Sequence, residues 1–251
     1  MHFRSLLFSP LFFLCAAFAQ PARYTPANGH AHNDYEHERP LLDALALDYG
    51  SVEADVYPVN GVLLVAHNAE DVKPERSLKN LYLQPLQKML GETGSRNVRL
   101  LVDIKEDHPT ALNLLIDELK PLQQYCFRPG KPKQLTILIS GSRPKPAEYP
   151  NYPAYILFDD DWKEPHTAAQ WKRVGMVSLQ FSRFASWKGE GGIAAQDKAA
   201  LQKIVNEVHA KGKPIRFWGA PDTQESWMLQ KALGADYIGA DDLAGLHRLL
   251  Q

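Results

Sequence analysis

Two short acidic motifs lie inside otherwise apolar runs. Ser51-Val52-Glu53-Ala54-Asp55-Val56 sets Glu53 and Asp55 two residues apart, and Leu100-Leu101-Val102-Asp103-Ile104-Lys105 does the same for Asp103 and Lys105. Residues two apart on an extended strand share a face, and charges in such a setting are costly unless they converge on something. Three carboxylates around one point repel, and a hard divalent cation with oxygen ligands is the usual means of stabilising them. Glu53, Asp55 and Asp103 are therefore candidate ligands for one divalent cation, Mg2+ or Ca2+.

Histidines beside these acids add proton transfer near neutral pH. His67 follows Leu63-Leu64-Val65-Ala66, and His30 and His32 share a strand face in Gly29-His30-Ala31-His32-Asn33-Asp34-Tyr35. His37, just beyond, is placed to touch a substrate. His108, His166, His209 and His247 fall in loops or on helices and read as solvated or capping groups. Cys126, between Tyr125 and Phe127, reads as a buried, inert thiol.

The elements that must hold these residues alternate along the chain. Strand patterns run Asn28 to Asn33, Ser51 to Tyr57, Arg99 to Ile104, Leu135 to Ser140, Ala154 to Phe158, Met176 to Phe181, Pro214 to Trp218 and Asp236 to Ala240. Helical spacing of apolar residues fills the gaps at Leu41 to Leu47, Leu81 to Leu90, Ala111 to Leu122, Ala194 to Ala210 and Ser226 to Leu233. Asn60-Gly61 between two β-rich runs predicts a hairpin inserted after the second strand. Eight βα units without a separating linker predict a single α/β domain, a (β/α)8 TIM barrel with its site at the carboxyl ends of the strands.

Composition narrows the partners. The 251 residues are 45% hydrophobic, and 28 Lys+Arg against 29 Asp+Glu give no electrostatic case for nucleic acid. Arg4 followed by the apolar run Leu6 to Phe18 and Ala17-Phe18-Ala19 predicts a signal peptide over residues 1–19, cleaved near Ala19, and an exported mature chain 20–251. Cys15 lacks the small residue that a lipoprotein site wants at Leu14, and no later run is long enough for a transmembrane segment.

Taken together, His at the first strand, Glu-x-Asp at the second, His on the hairpin and Asp-x-Lys at the third resemble the superfamily of glycerophosphodiesterases, phosphatidylinositol phospholipases C and sphingomyelinase D enzymes. Arg216-Phe217-Trp218 and the run Leu233 to Asp241 resemble the closing strands of the same barrels. The resemblance implies a phosphodiester hydrolase acting on a small phosphodiester or lipid headgroup. It implies a metal at Glu53, Asp55 and Asp103, acid–base roles for His30 and His67, and phosphate contact by Lys105. His32 is the rival for the first histidine position; His30 is favoured here by its His-x-x-Asn spacing to Asn33. His32, Asn33 and Trp218 then fall on the substrate side, Trp218 as a stacking surface.

The glycerophosphodiesterase pattern His-Arg-Gly is absent, since Ala31 and His32 stand where Arg and Gly would, so the phosphate-gripping arginine is missing. His-x-His-Asn-Asp-Tyr is similar instead to the altered inheritance of mitochondria protein group. Two competing readings remain. One takes His30-Ala31-His32 as a transition-metal pair of an amidohydrolase-like enzyme. The other is a noncatalytic exported binding protein on the same barrel.

Overall fold

A computed structural model describes residues 21, 23–92 and 96–251; the expected signal peptide lies outside the described residues. The strands are β1 (Gly29–Ala31), β2 (Ser51–Val59), β3 (Val62–Val65), β4 (Val98–Ile104), β5 (Leu135–Gly141), β6 (Ile156–Asp160), β7 (Val174–Gln180), β8 (Ile215–Trp218) and β9 (Tyr237–Ala240). All but β3 pair in parallel in the order β1-β9-β8-β7-β6-β5-β4-β2. The closing step is β1 on β2, with His30 opposite Ser51, so that the eight parallel strands form a closed barrel. β3 returns antiparallel on the end of β2 through Asn60 and Gly61, whose φ values of 49° and 80° are those of a primed hairpin turn.

Helices α1 (Leu42–Ala46), α2 (Gln84–Leu90), α3 (His108–Glu118), α4 (Ala168–Trp171), α5 (Ala195–Ala210), α6 (Gln224–Leu233) and α7 (Leu243–Leu250) follow the strands. α5 buries Leu201, Ile204, Val205 and Val208, the apolar stripe of its sequence, and adds His209. Its neighbour α6 stops at Gly234, which takes the left-handed conformation at φ 88° that favours glycine. α4 and α7 were not anticipated: four residues are too short to show a period, and α7 follows β9 with few turns in which to repeat Leu243, Leu246 and Leu250.

The alternation of side chains along each strand sorts the core into two parts. One face of the barrel packs beneath the helices through Val52, Ala54 and Val56 of β2, Leu100, Val102 and Ile104 of β4, Ile137 and Ile139 of β5, and Ile215 and Phe217 of β8. The intervening residues point into the barrel. There Leu101, Leu138, Leu157 and Met176 form a separate apolar plug. Two residues further along β4, β5 and β7 the interior turns polar at Asp103, Ser140 and Ser178, with Asp55 of β2 in register with Asp103, Asp103 with Ser140, and Arg216 of β8 with Ser178. Parallel pairing therefore lifts all of these side chains to one end, above a dry floor.

Candidate active site

The polar end of the barrel opens into a pocket of about 380 Å³ whose walls include His32, Asn33, Glu53, Asp55, His67, Asp103, Lys105, Arg143, Arg216 and Trp218. Seven parallel strands, the hairpin and their following loops contribute to it. Ligand atoms of Glu53, Asp55 and Asp103 lie within 4.8 Å of one another, and among the described residues this is the set of three or more acids, histidines or cysteines that can share an ion. Lys105 Nζ stands between two of them, 2.7 Å from Asp55 Oδ2 and 3.3 Å from Asp103 Oδ1.

The donor set fits a cation. Asp55 Oδ1 is buried with no hydrogen-bond partner among the described residues, whereas Asp55 Oδ2 receives Lys105, Tyr35 and His67. Burial raises the Asp103 carboxyl above its ordinary range; Lys105 opposes the shift and the charges of Asp55 and Glu53 add to it. An all-carboxylate set of this kind suits a hard ion. The His-x-His pair does not supply a rival site, because its two rings are tied to different partners.

His30 is completely buried beneath the pocket. Its Nδ1 is 2.8 Å from Ser51 Oγ and its Nε2 is 2.9 Å from Glu53 Oε2, so both ring nitrogens are occupied. Burial, then Arg216, push its pKa down to about 4, and Glu53 only partly opposes them. Glu53 in turn receives Arg216 at 3.2 Å; burial works against its charge, but Arg216 and His30 prevail and hold the carboxyl well below the usual range. The preference for His30 as a site-facing histidine is thus corrected. The same strand face carries both histidines, but His30 is one step deeper, and the pocket wall belongs to His32.

His32 and His67 are held alike. His32 Nδ1 lies 2.8 Å from Asp241 Oδ1, and His67 Nδ1 lies 3.1 Å from Asp55 Oδ2. Each carboxylate selects the Nδ1–H tautomer and directs Nε2 away from it. Burial disfavours the His32 cation, but the hydrogen bond and charge of Asp241, with Glu53, outweigh it and raise its pKa. Asn33, in the left-handed region at φ 48°, turns the chain out of the barrel and sets its amide at 3.5 Å from Asp241. Tyr35 folds back beneath it, its hydroxyl kept protonated by burial and by Asp55.

Arg143 and Arg216 had no assigned role, and both line the pocket. The guanidinium absent from the first strand is present from other strands: Arg216 bonds Glu53 and, at 3.3 Å, Ser178 Oγ, while Arg143 pairs with Asp161 at 3.2 Å. Arg216 sits two residues before Trp218, on the same strand face, a spacing that marks it. Asp159 and Asp160 were placed beyond the fifth parallel strand, which instead continues through them as buried residues. Trp218 is 43% exposed at the rim, which excludes core packing.

Other expectations need correction. His37 does not line the pocket. His209 is buried, with Nε2 2.8 Å from Asp236 Oδ2, and the His166 side chain is shielded with Nε2 2.9 Å from Asp160 Oδ2; both are internal groups beside a carboxylate, not solvated ones. Cys126 is buried as expected, and burial lifts its thiol to a pKa of about 12.

The closed parallel barrel is a fold shared with solved structures. The structure superposes with TM-score 0.57 on a glycerophosphodiester phosphodiesterase from Parabacteroides distasonis, at 16% identity, covering 88% of this chain and 95% of that one. It superposes with TM-score 0.56 on a calcium-dependent phosphoinositol-specific phospholipase C from Pseudomonas sp., at 15% identity, covering 89% and 93%. The family model of the AIM6-like phosphodiesterase domain matches residues 21–97.

An altered inheritance of mitochondria protein 6 homolog from Arthroderma benhamiae is 31% identical, with 87% of this chain and 82% of that protein aligned. Altered inheritance of mitochondria protein 6 from Eremothecium gossypii is 29% identical over 85% of this chain and 67% of its own. The chain belongs to the altered inheritance of mitochondria protein 6 family.

Proposed function

We propose that this protein is a metal-dependent phosphodiester hydrolase with histidine acid–base catalysis, acting on a small phosphodiester or lipid headgroup. The observation that carries the reading is the arrangement of His32 and His67. Both line the pocket that holds Glu53, Asp55, Asp103 and Lys105, and each is oriented by a carboxylate on Nδ1.

Glu53, Asp55 and Asp103 hold one divalent cation, Mg2+ or Ca2+, which when bound neutralises charge that develops on the phosphoryl oxygens. Lys105 contacts a nonbridging oxygen, and Arg143 supplies a guanidinium to the same group. Nε2 of one histidine takes a proton from the attacking hydroxyl, and Nε2 of the other returns one to the leaving alkoxide. Asn33 orients the substrate beside His32, and Trp218 stacks on its sugar or apolar portion. His30 fixes Glu53 from below. The protein is exported, and N-terminal sequencing of the exported product checks for a start near Gln20.

The test is hydrolysis of bis-p-nitrophenyl phosphate and a panel of natural phosphodiesters with Mg2+ or Ca2+, identifying the liberated alcohol. His32→Ala and His67→Ala are each expected to lower turnover by about 10²–10⁴-fold. Turnover that survives both substitutions and chelation counts decisively against the reading.

A further inference from the structure

Tyr35 occupies a junction that neither its burial nor its place in the core explains. Its hydroxyl oxygen is 2.7 Å from Asp55 Oδ2, 2.7 Å from Asn33 Oδ1 and 3.0 Å from His67 Nδ1. The ring is 4% exposed and packs in the main apolar core, so the oxygen is held from behind. A phenol has one proton to give, and the carboxylate, as the charged acceptor, is the stronger claimant. With that proton on the Asp55 side, the phenolic oxygen is an acceptor, and His67 Nδ1 must be the donor that faces it.

The consequence reaches two groups at once. On Asp55, the Tyr35 hydroxyl joins Lys105 and His67 on Oδ2, while Oδ1 is buried and without a partner among the described residues. The two carboxylate oxygens are thereby divided, one saturated by protein donors and one left for an ion. On His67, the same hydroxyl adds a second acceptor for Nδ1–H and keeps Nε2 as the nitrogen available to a substrate. Outer partners of this sort set the orientation of metal ligands and the tautomer of histidines.

We propose that Tyr35 is a positioning residue which couples the cation site to the acid–base histidine, dividing the oxygens of Asp55 and fixing the Nδ1–H tautomer of His67. The cation part rests on the function proposed above; the tautomer part does not.

The experiment uses the full mature chain and the Tyr35→Phe variant, which keeps the ring and removes only the hydroxyl. Ring 15N spectra of metal-free wild type are expected to show His67 as the Nδ1–H tautomer; an Nε2–H tautomer overturns the proposal without recourse to any variant. In Tyr35→Phe, Asp55 Oδ2 remains as an acceptor for Nδ1–H, and the loss of the second acceptor is expected to lower the Nδ1–H share of His67 and shift its ring 15N signals. Calorimetric titration with Ca2+ and with Mg2+ is expected to show affinity weakened about tenfold or more. With a hydrolysed phosphodiester, kcat is expected to fall about tenfold or more at saturating cation with KM within about twofold.

Tyr82→Phe is the control, since Tyr82 is also buried, its hydroxyl lies 3.5 Å from the Glu53 carbonyl, and it has no bond to His67. Equal effects from Tyr82→Phe, or a Tyr35→Phe protein with wild-type cation affinity and an unchanged His67 spectrum, overturn the proposal. Wild type that binds no cation and turns over no phosphodiester strikes the proposed function instead. The His67 spectrum then still decides whether Tyr35 fixes the tautomer.

Discussion

Nε2 of His30 lies 2.9 Å from Oε2 of Glu53, inside the barrel and under the floor of the pocket. This bond separates two histidines that stand on the same strand face. His30 serves Glu53, and His32, two residues nearer the carboxyl end, meets the cavity with its side chain 38% exposed. The difference predicts opposite phenotypes. His30→Asn leaves Glu53 with one fewer donor and Ser51 without its partner, so a stability loss of about 1–3 kcal/mol is expected with turnover largely kept at saturating cation. His32→Asn is expected to stay within about 0.5 kcal/mol of wild type and to lose most of its turnover. Urea melts and rates measured on both proteins decide, and the reverse pattern would return the acid–base role to His30.

Trp218 presents its ring at the rim, beside Arg216 on the inward face of β8. Because 43% of the residue is exposed, Trp218→Ala is expected to change stability by no more than about 0.5 kcal/mol. Loss of stacking is expected to raise KM about tenfold with kcat unchanged, equivalent to about 1.4 kcal/mol of uniform binding. A fall in kcat alone would give Trp218 a different role.

The barrel was legible because parallel strands buried on one face and plugged on the other leave an alternation that few folds share. Glu53, Asp55, Asp103 and Lys105 stood out for a related reason: a charge inside an apolar strand has few neutral explanations. Depth along the barrel axis was not legible. His30 and His32 have the same residue type and face, and only the stagger of β1 between β2 and β9 puts one below the floor. Arg143 and Arg216 reach the pocket, and Asp241 reaches His32, from parts of the chain far apart in sequence, so no local pattern joined them to the histidines. His166 and His209 were misjudged because their partners, Asp160 and Asp236, lie on other elements.

Asp34 is fully buried next to the site and accepts a hydrogen bond from the Leu41 amide. Burial outweighs that bond and raises its pKa to about 6. An unfolded aspartate titrates near 3.9, so between about pH 4 and 6 the folded state binds more protons than the unfolded one. Its contribution to stability is therefore fully present below that window and is lost as pH rises through it. Asp34→Asn keeps an acceptor for Leu41 and cannot ionise. It is expected to be more stable than wild type at pH 7 by about 2 kcal/mol, with the difference vanishing near pH 4. Urea melts at pH 4, 5, 6 and 7 test this, and a difference independent of pH would refute it.

The Lys105 ammonium bridges Asp55 and Asp103, and Glu53 brings a third carboxylate to the same point. In the absence of a cation this crowding costs stability, and with one bound it becomes the means of attachment. The two states predict a crossover. With chelator present, Asp103→Asn is expected to be at least as stable as wild type, because a like charge has been removed. With Ca2+ or Mg2+ at a hundredfold excess over Kd, wild type is expected to gain about 2.7 kcal/mol, and Asp103→Asn and Glu53→Gln much less. Thermal or urea melts with and without chelator read both arms. A wild type indifferent to both ions would remove the cation from this site, and equal gains in all three proteins would place the ion elsewhere.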